Sequence, residues 1–292
     1  MAIEMAGYRP WHGKLRSPWM VCWPIVRTGL GLVLRRVIFW ILLGLGLFFF
    51  LFSFAVIYLK AQLVAQNRNV GRFLDAVHLT GTGEAYRDFM LIQGSATMLL
   101  LAFAGAMLIG NDYQQGGLSF YLSRRMSRRH YVVGKLLAIS FVVHLITTFP
   151  ALVLYVEYGL LSNSLDYFRD NPRILLGILG YGVLMSITAS LMLAAIASWV
   201  PRTVPLVMTW AAVFVMLPAV GAALWGITQN KRCMVVSLWS DLFYLGSWCF
   251  GAIEKDDAAL VPWAAWIVPA VCVICLGLFL HRVRAVEVVA DS

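Results

Sequence analysis

The chain has 292 residues, of which 61% are hydrophobic and only 13% are charged, and its mean hydropathy is +0.80. A soluble domain cannot cover its surface with so few polar groups, so the composition excludes a soluble globular protein and predicts a polytopic helical membrane protein. The formal charge of +9 is concentrated at the ends of apolar runs, a pattern typical of membrane orientation rather than of nucleic-acid binding.

Residues 1–36 precede the first membrane-length apolar run, and we expect them to form a cytoplasmic N-terminus. From Trp19 to Arg36, aromatic and aliphatic side chains are interspersed with three arginines. This pattern is typical of an amphipathic helix that lies in the membrane interface, with its arginines reaching towards water. The alternative is that the stretch is only the positively charged flank of the first span.

Six apolar runs are each long enough to cross a hydrocarbon core of about 30 Å at about 1.5 Å per residue. The sequence therefore predicts an all-α protein with one six-helix transmembrane domain over residues 37–280 and a cytoplasmic tail at 281–292. The predicted spans are Val37–Leu59, Phe89–Gly110, Leu136–Leu161, Ile174–Val200, Val204–Ile227 and Leu260–Leu280. Pro150, Pro218 and Pro269 lie inside spans and predict kinks.

Lysine and arginine are divided unequally between the two sets of loops that six spans create. With an inner N-terminus, fourteen of these residues lie on the cytoplasmic side and nine outside, whereas nine of the fourteen acidic residues lie outside. Loops rich in lysine and arginine stay in the cytoplasm. We therefore predict a multi-pass protein of the cytoplasmic (inner) membrane with both termini in the cytoplasm.

The connection between spans five and six, residues 228–259, contains the apolar segment Val235–Ile253. Asp241 and Gly246 interrupt this segment, and a seventh crossing would place Arg282 outside. We therefore predict an outer re-entrant or interfacial hairpin that is buried against protein, with a membrane crossing as the alternative.

The five cysteines show no zinc-site spacing with histidines. Cys272 and Cys275 lie inside an apolar run, which is typical of small core residues rather than of a redox or metal motif. Cys233 and Cys249 share the outer connection and could form a disulfide there. We expect no metal and no cofactor in this chain.

The polar connection at residues 111–135, between spans two and three, carries the densest basic cluster. Its basic residues are Arg124, Arg125, Arg128, Arg129 and Lys135. Gly116-Gly117 lowers helix propensity and permits a positive φ, so the chain can leave the direction of the span. An apolar face then recurs at helical spacing through Leu118, Tyr121, Leu122 and Met126. Ser127 is placed to cap the next helix.

This loop resembles the cytoplasmic loop of type 2 ABC-transporter permeases. The family pattern there is an acidic residue, three residues, Gly-Thr-Leu, a short spacer, Ser/Thr-Pro-Ile/Val-Ser-Arg and Gly-Lys-Leu. Asp112 stands near the acidic position, and the residues that match at the same spacing are Gly116, Leu118, Ser127, Arg128, Gly134, Lys135 and Leu136. The departures are Gly117, where Thr is usual, and Arg125-Met126, where Pro-Ile or Pro-Val is usual.

The resemblance implies a coupling helix in this loop that docks on a separate ATPase subunit. The residues it assigns to coupling are Asp112, Gly116, Gly117, Leu118, Phe120, Tyr121, Leu122, Arg124, Arg125, Ser127 and Arg128. It also implies an N-terminal elbow helix, short re-entrant helices between spans five and six, and a dimer of permeases, taken here as a homodimer, with two ATPase subunits. The route would lie between the permeases, lined mainly by spans one, two and five.

No Walker-type Gly-x-x-x-x-Gly-Lys-Ser/Thr motif occurs in the sequence, and neither His-Glu-x-x-His nor Gly-x-Ser-x-Gly is present. We therefore expect a transport subunit, an exporter that is not itself an enzyme, with ATP and Mg bound by its partner. The alternatives are an intramembrane enzyme of the peptidase kind, built around His144 and Glu157, and a non-transporting scaffold subunit. His144 and Glu157 are thirteen residues apart and face different sides of a helix.

Two spans carry ridges of small residues, which allow helices to approach closely in lipid. Those ridges include Gly94, Ala102 and Ala106 in span two and Gly182, Ser186, Ser190 and Ala194 in span four. They predict helix packing, either within the bundle or at a dimer interface. The sequence leaves the substrate open.

Overall fold

The structure is a computed structural model that describes residue 20 and residues 22–63, 81–117, 127–161 and 166–283. Regular structure in these ranges is helical, with no strand. In chain order, the helices are α1 Cys22–Leu34, α2 Val37–Leu63, α3 Gly83–Gln114, α4 Arg128–Leu161, α5 Asp166–Asp170, α6 Pro172–Trp199, α7 Thr203–Thr228, α8 Leu238–Phe250 and α9 Val261–Arg282. A short 3-10 helix, Lys231–Val236, precedes α8.

Six of these helices, α2, α3, α4, α6, α7 and α9, are long and apolar enough to cross a membrane. The shortest, α9, has 22 residues, which corresponds to about 33 Å of helix and exceeds a hydrocarbon core of about 30 Å. The prediction of an all-α protein with six membrane-length helices is therefore confirmed.

Helices α3 and α6 form the centre of the bundle. In their most apolar windows, 67% of the residues of α3 and 61% of those of α6 are buried, against 17% for α2 and α7 and 22% for α9. Helix α6 packs against α3, α4, α8 and α9. The apolar side chains of α2, α7 and α9 consequently face outwards, where lipid or another subunit can cover them.

Helix α1 is amphipathic and packs on the first half of α4. Ile25 and Val26 are buried on its inner face, whereas Trp23 is 67% exposed on the other. A Cβ atom on Gly134 of α4 would lie 3.0 Å from the Cβ of Ile25, so the absence of a side chain at Gly134 allows the two helices to approach closely.

Three of the long helices are irregular, and two of the irregularities lie beside prolines. Helix α4 is interrupted at Thr147, close to Pro150, and α7 contains a π-helical turn, Ala212–Met216, immediately before Leu217-Pro218. Proline removes a backbone donor and opens the helix before it. Helix α9 continues through Pro269, and α3 contains a π turn at Ala106–Gly110 without any proline.

The connection from α7 to α9 folds back on the bundle. Gln229 takes a left-handed conformation with φ of 53°, and the 3-10 helix then packs along the second half of α7. Helix α8 follows, with Ser237 as its N-cap. Its 13 residues give about 20 Å of helix, which is too short for a crossing. Cys233 and Cys249 are both free thiols, so the disulfide considered from the sequence does not form.

Candidate functional site

The basic loop begins at the end of α3 and ends at the start of α4. An ion pair that is largely shielded from water joins these two stems. Asp112 Oδ2 lies 2.6 Å from Lys135 Nζ and accepts a hydrogen bond of 2.8 Å from the Tyr131 hydroxyl. The Lys135 and Asp112 side chains are only 3% and 14% exposed. Lys135 Nζ also donates to the carbonyl oxygen of Leu108. We call Asp112, Tyr131 and Lys135 the stem cluster.

Local helix geometry explains how the stem cluster forms. Tyr131 and Lys135 are four residues apart on α4, so their side chains lie on the same face. Leu108 lies in the π turn of α3, where backbone hydrogen bonds skip one residue more than in an α-helix. The carbonyl of Leu108 is thereby presented to a side-chain donor from α4. Pairing and hydrogen bonding of this kind offset the cost of removing a charge from water.

Other helices meet at the same end of the bundle. Arg282 of α9 donates through Nε to the carbonyl of Ser198 at 3.3 Å, and its guanidinium lies 5.6 Å from the Trp199 ring and 6.0 Å from the Tyr113 ring. Gln114 Nε2 donates to the Pro201 carbonyl at 2.6 Å. The end of α3 is therefore linked to α4, to α9 and to the turn between α6 and α7.

The structure describes part of the residue set assigned to coupling. Gly116 has a φ of +68°, as its permissive backbone allows. Ser127 is the N-cap residue of α4, and its backbone N–H donates to His130 Nδ1 at 3.3 Å. Arg128 is exposed at the start of α4. The remaining coupling residues, which lie outside the described ranges, are Leu118, Phe120, Tyr121, Leu122, Arg124 and Arg125. The coupling helix remains a prediction.

The small-residue ridges lie against other helices of the same chain. A Cβ on Gly94 would overlap Met185, and one on Gly182 would overlap Thr148. The other ridge residues are buried at 4% exposure or less, and they are Ala102, Ala106, Ser186, Ser190 and Ala194. In the described structure, these residues provide close helix packing inside the bundle.

At the opposite end of the bundle, two arginines hold the C-terminal end of α8. Arg87 of α3 is 8% exposed and donates through Nη1 to Ser247 Oγ at 3.0 Å and to the Ala252 carbonyl at 3.2 Å. Arg173 of α6 donates to the Trp248 carbonyl at 3.1 Å. Cations are favourable at helix C-termini. The sequence analysis missed both arginines. A local signal for the end of α8 was Gly251, which takes a left-handed conformation with a φ of 69°, but it did not indicate which side chains bind there.

The two ionisable residues inside the third predicted span have separate surroundings. His144 Nδ1 lies 2.9 Å from Thr148 Oγ1, whereas neither carboxyl oxygen of Glu157 has a hydrogen-bond partner among the described residues. The described ranges also contain no group of three or more histidine, cysteine or acidic residues that could hold a metal ion.

An apolar cleft of about 350 Å³ separates α3 from α7. Met98 and Ala102 line it from α3, and Trp210 and Phe214 line it from α7. The indole N–H of Trp210 donates to the carbonyl of Met98 at 2.8 Å, which holds the two helices together at one edge of the cleft. The π turn of α7 includes Phe214 and so forms part of the wall.

The fold and these contacts define a helical membrane protein of the multi-pass class, with charged side chains cross-linked at one end of the bundle. Comparison with protein-family models and with curated proteins finds no match for this chain. An assignment of function therefore depends on the residues of the basic loop and on the geometry of its stems.

Proposed function

We propose that the chain is the membrane permease subunit of a type 2 ABC transporter, an exporter driven by a separate ATPase subunit. The observation that carries this proposal is the pattern of residues 112–136, in which family-type residues recur at the family spacing. The geometry of the stem cluster supports it, because the acidic residue near the first motif position pairs with the lysine of Gly134-Lys135-Leu136. An ion pair that joins the end of α3 to the start of α4 suits a loop that transmits the motion of an ATPase subunit to both helices.

In the proposed mechanism, ATP-driven closure of two partner subunits pushes on a coupling helix near Leu118–Arg125. Tyr121 and Leu122 supply apolar contact with the ATPase, and Arg124 and Arg125 supply charge complementarity. The stem cluster passes the push to α3 and α4 together. Because α3 is a central helix with 67% of its apolar window buried and close-packed interiors transmit strain, its displacement moves the whole bundle.

The proposal also assigns a role to the helices at the outside of the bundle. Helices α2 and α7 are the least buried of the spans, which suits a homodimer whose route runs between the two permeases along α2, α3 and α7. The cleft of about 350 Å³ between α3 and α7 faces that route. Helix α1 acts as the interfacial elbow, α8 as a re-entrant helix on the outer side, and both termini lie in the cytoplasm of an inner-membrane protein.

Retention of the ATPase subunit tests the proposal. We expect the double substitution Tyr121→Asp with Leu122→Asp to remove an ATP-binding polypeptide from the complex, because two carboxylates would replace the apolar docking surface. The full chain is purified from native membranes through a tag, and co-purifying polypeptides are labelled with azido-ATP.

The matched control is Ile227→Asp, at the end of α7, where the native side chain is 81% exposed. This variant also adds a carboxylate to an apolar surface but lies far from the loop, and it is expected to retain the labelled polypeptide. Equal labelling of the native chain and the loop variant would refute the docking role of residues 121 and 122.

A further inference from the structure

A basic surface lies at the corner where α1 meets α2. Arg27 belongs to α1, and Arg35 and Arg36 form the two-residue connection between the helices. All three side chains are exposed, and we call them the basic corner. A Cβ atom on Gly29, in the middle of α1, would lie 3.2 Å from the side chain of Leu108. The helix that carries Arg27 therefore packs beside the stem cluster.

The positive charge of the basic corner is not neutralised by protein. The described parts of the chain provide no ion-pair or hydrogen-bond partner for the three guanidinium groups, whereas Arg87 and Arg282 donate to protein oxygens. In the sequence, no aspartate or glutamate occurs between Glu4 and Asp75. An anion from outside the chain can therefore bind at the basic corner without displacing a described protein contact.

The position of the basic corner along α2 indicates what that anion is. The apolar span Val37–Lys60 has 24 residues, or about 36 Å of helix, which is little more than a hydrocarbon core of about 30 Å. Arg36 immediately precedes this span and so lies at the level of lipid headgroups. Trp23 and Trp40 are 67% and 58% exposed on either side of the corner, and tryptophan is enriched at that level. Only 17% of the apolar window of α2 is buried, so lipid can reach the corner.

We propose that the basic corner binds anionic phospholipid headgroups from the leaflet that surrounds it. The exposed guanidinium groups of Arg35 and Arg36 donate hydrogen bonds to the lipid phosphate, a geometry that arginine favours. An anionic lipid carries a net negative charge, whereas the quaternary ammonium of a choline lipid offsets the charge of its phosphate. The basic corner therefore selects the anionic lipid. This inference does not depend on the transport function, because the chain by itself carries the three arginines.

Native mass spectrometry of the full chain tests the proposal. The protein is equilibrated with vesicles that contain equal amounts of phosphatidylglycerol and phosphatidylcholine with identical acyl chains, is released in mild detergent, and the retained lipids are counted. We expect the native chain to retain phosphatidylglycerol in preference. Arg35→Gln with Arg36→Gln is expected to lower the ratio of the two lipids about tenfold, since each basic residue near an anionic membrane surface changes binding about fivefold.

The matched control is Arg169→Gln with Arg232→Gln, which also removes two exposed arginines but in α5 and in the 3-10 helix before α8. This variant is expected to keep the native lipid ratio. A second variant, Arg35→Lys with Arg36→Lys, keeps the charge of the basic corner and is expected to retain most of the preference. Circular dichroism of each variant verifies that the helical fold is intact.

Three outcomes would overturn the proposal. Equal retention of the two lipids by the native chain would show that it does not select anionic headgroups. A native ratio in Arg35→Gln with Arg36→Gln would show that the selection occurs elsewhere. An equal fall in the Arg169→Gln, Arg232→Gln control would assign the selection to the total charge of the protein rather than to the basic corner.

Discussion

The carboxyl group of Asp112, at one end of the bundle, has different surroundings from those of Glu157 and Asp241. Where α3 ends and α4 begins, the carboxylate of Asp112 is paired with Lys135 at 2.6 Å and bonded to Tyr131. Towards the other end, Glu157 and Asp241 are buried carboxyl groups without a hydrogen-bond partner among the described residues. A paired buried charge cross-links helices and resists movement. Burial of an unpaired carboxyl group favours its neutral form, so these carboxyl groups are expected to respond differently to substitution and to pH.

The largest expected effect comes from breaking the pair in the stem cluster. Lys135→Met leaves the largely buried carboxylate of Asp112 with Tyr131 as its hydrogen-bond partner among the described residues, and we expect the free energy of unfolding to fall by about 3–5 kcal/mol. Reversible denaturation in mixed micelles with increasing sodium dodecyl sulfate measures this change.

The double variant Asp112→Leu with Lys135→Met is the control for this prediction. Removal of both charges leaves no uncompensated ion, so the double variant is expected to be more stable than Lys135→Met alone. If the single variant were as stable as the native chain, the ion pair would not hold the stems together.

A smaller effect, dependent on pH, is expected at the unpaired carboxyl of Asp241. Burial raises the pKa of Asp241 to about 7, whereas an aspartate in an unfolded chain has a pKa of about 3.9. Between these pH values the folded state binds more protons than the unfolded state, so the free energy of unfolding falls as pH rises. The fall between pH 5 and 7 is at most about 3 kcal/mol, from about 1.4 kcal/mol per pH unit.

Asp241→Asn is expected to remove this dependence, because the amide does not titrate. Glu254→Gln, at an exposed position in the connection before α9, is expected to keep the native pH profile. The measurement is the denaturation midpoint of the native chain, of Asp241→Asn and of Glu254→Gln at pH 5, 6, 7 and 8. An Asp241→Asn variant with the native slope would mean that another group causes the dependence.

The smallest expected effect concerns a second ion pair, whose lysine is more exposed than Lys135. Lys231 Nζ lies 2.7 Å from Asp257 Oδ1, but the lysine side chain is 36% exposed, against 3% for Lys135. Asp257 itself is only 11% exposed, so Lys231→Met leaves a largely buried carboxylate without its lysine, although water reaches the lysine end of the pair. The free energy of unfolding should therefore fall by about 1–2 kcal/mol, less than for Lys135→Met. A loss as large as that of Lys135→Met would mean that exposure does not govern the cost.

The six long helices were predictable because membrane-length apolar runs leave few structural choices. Helix boundaries were less predictable. The second predicted span started at Phe89, whereas α3 starts at Gly83 and includes Arg87. That arginine fell in the preceding loop, but its donors reach Ser247 and Ala252. Contacts across more than 150 residues leave no periodic signal in a single sequence.

The stem cluster illustrates the same limit within the basic loop. Asp112 and Lys135 were both noted from the sequence, but nothing in their spacing indicated that they pair. The pairing depends on the π turn at Ala106–Gly110 and on the approach of α4 to α3. The coupling residues from Leu118 to Arg125 lie outside the described ranges, so for them the sequence pattern is still the source of the prediction.

The sequence by itself determined that this is an all-α protein with six membrane-length helices, because hydropathy and helix length depend only on the order of residues along the chain. The tertiary structure alone decided which charges are paired, which small residues touch neighbouring helices, and which carboxyl groups are buried without a hydrogen-bond partner among the described residues. These properties depend on distances between helices that are remote in sequence, and such distances are fixed only when the whole bundle packs.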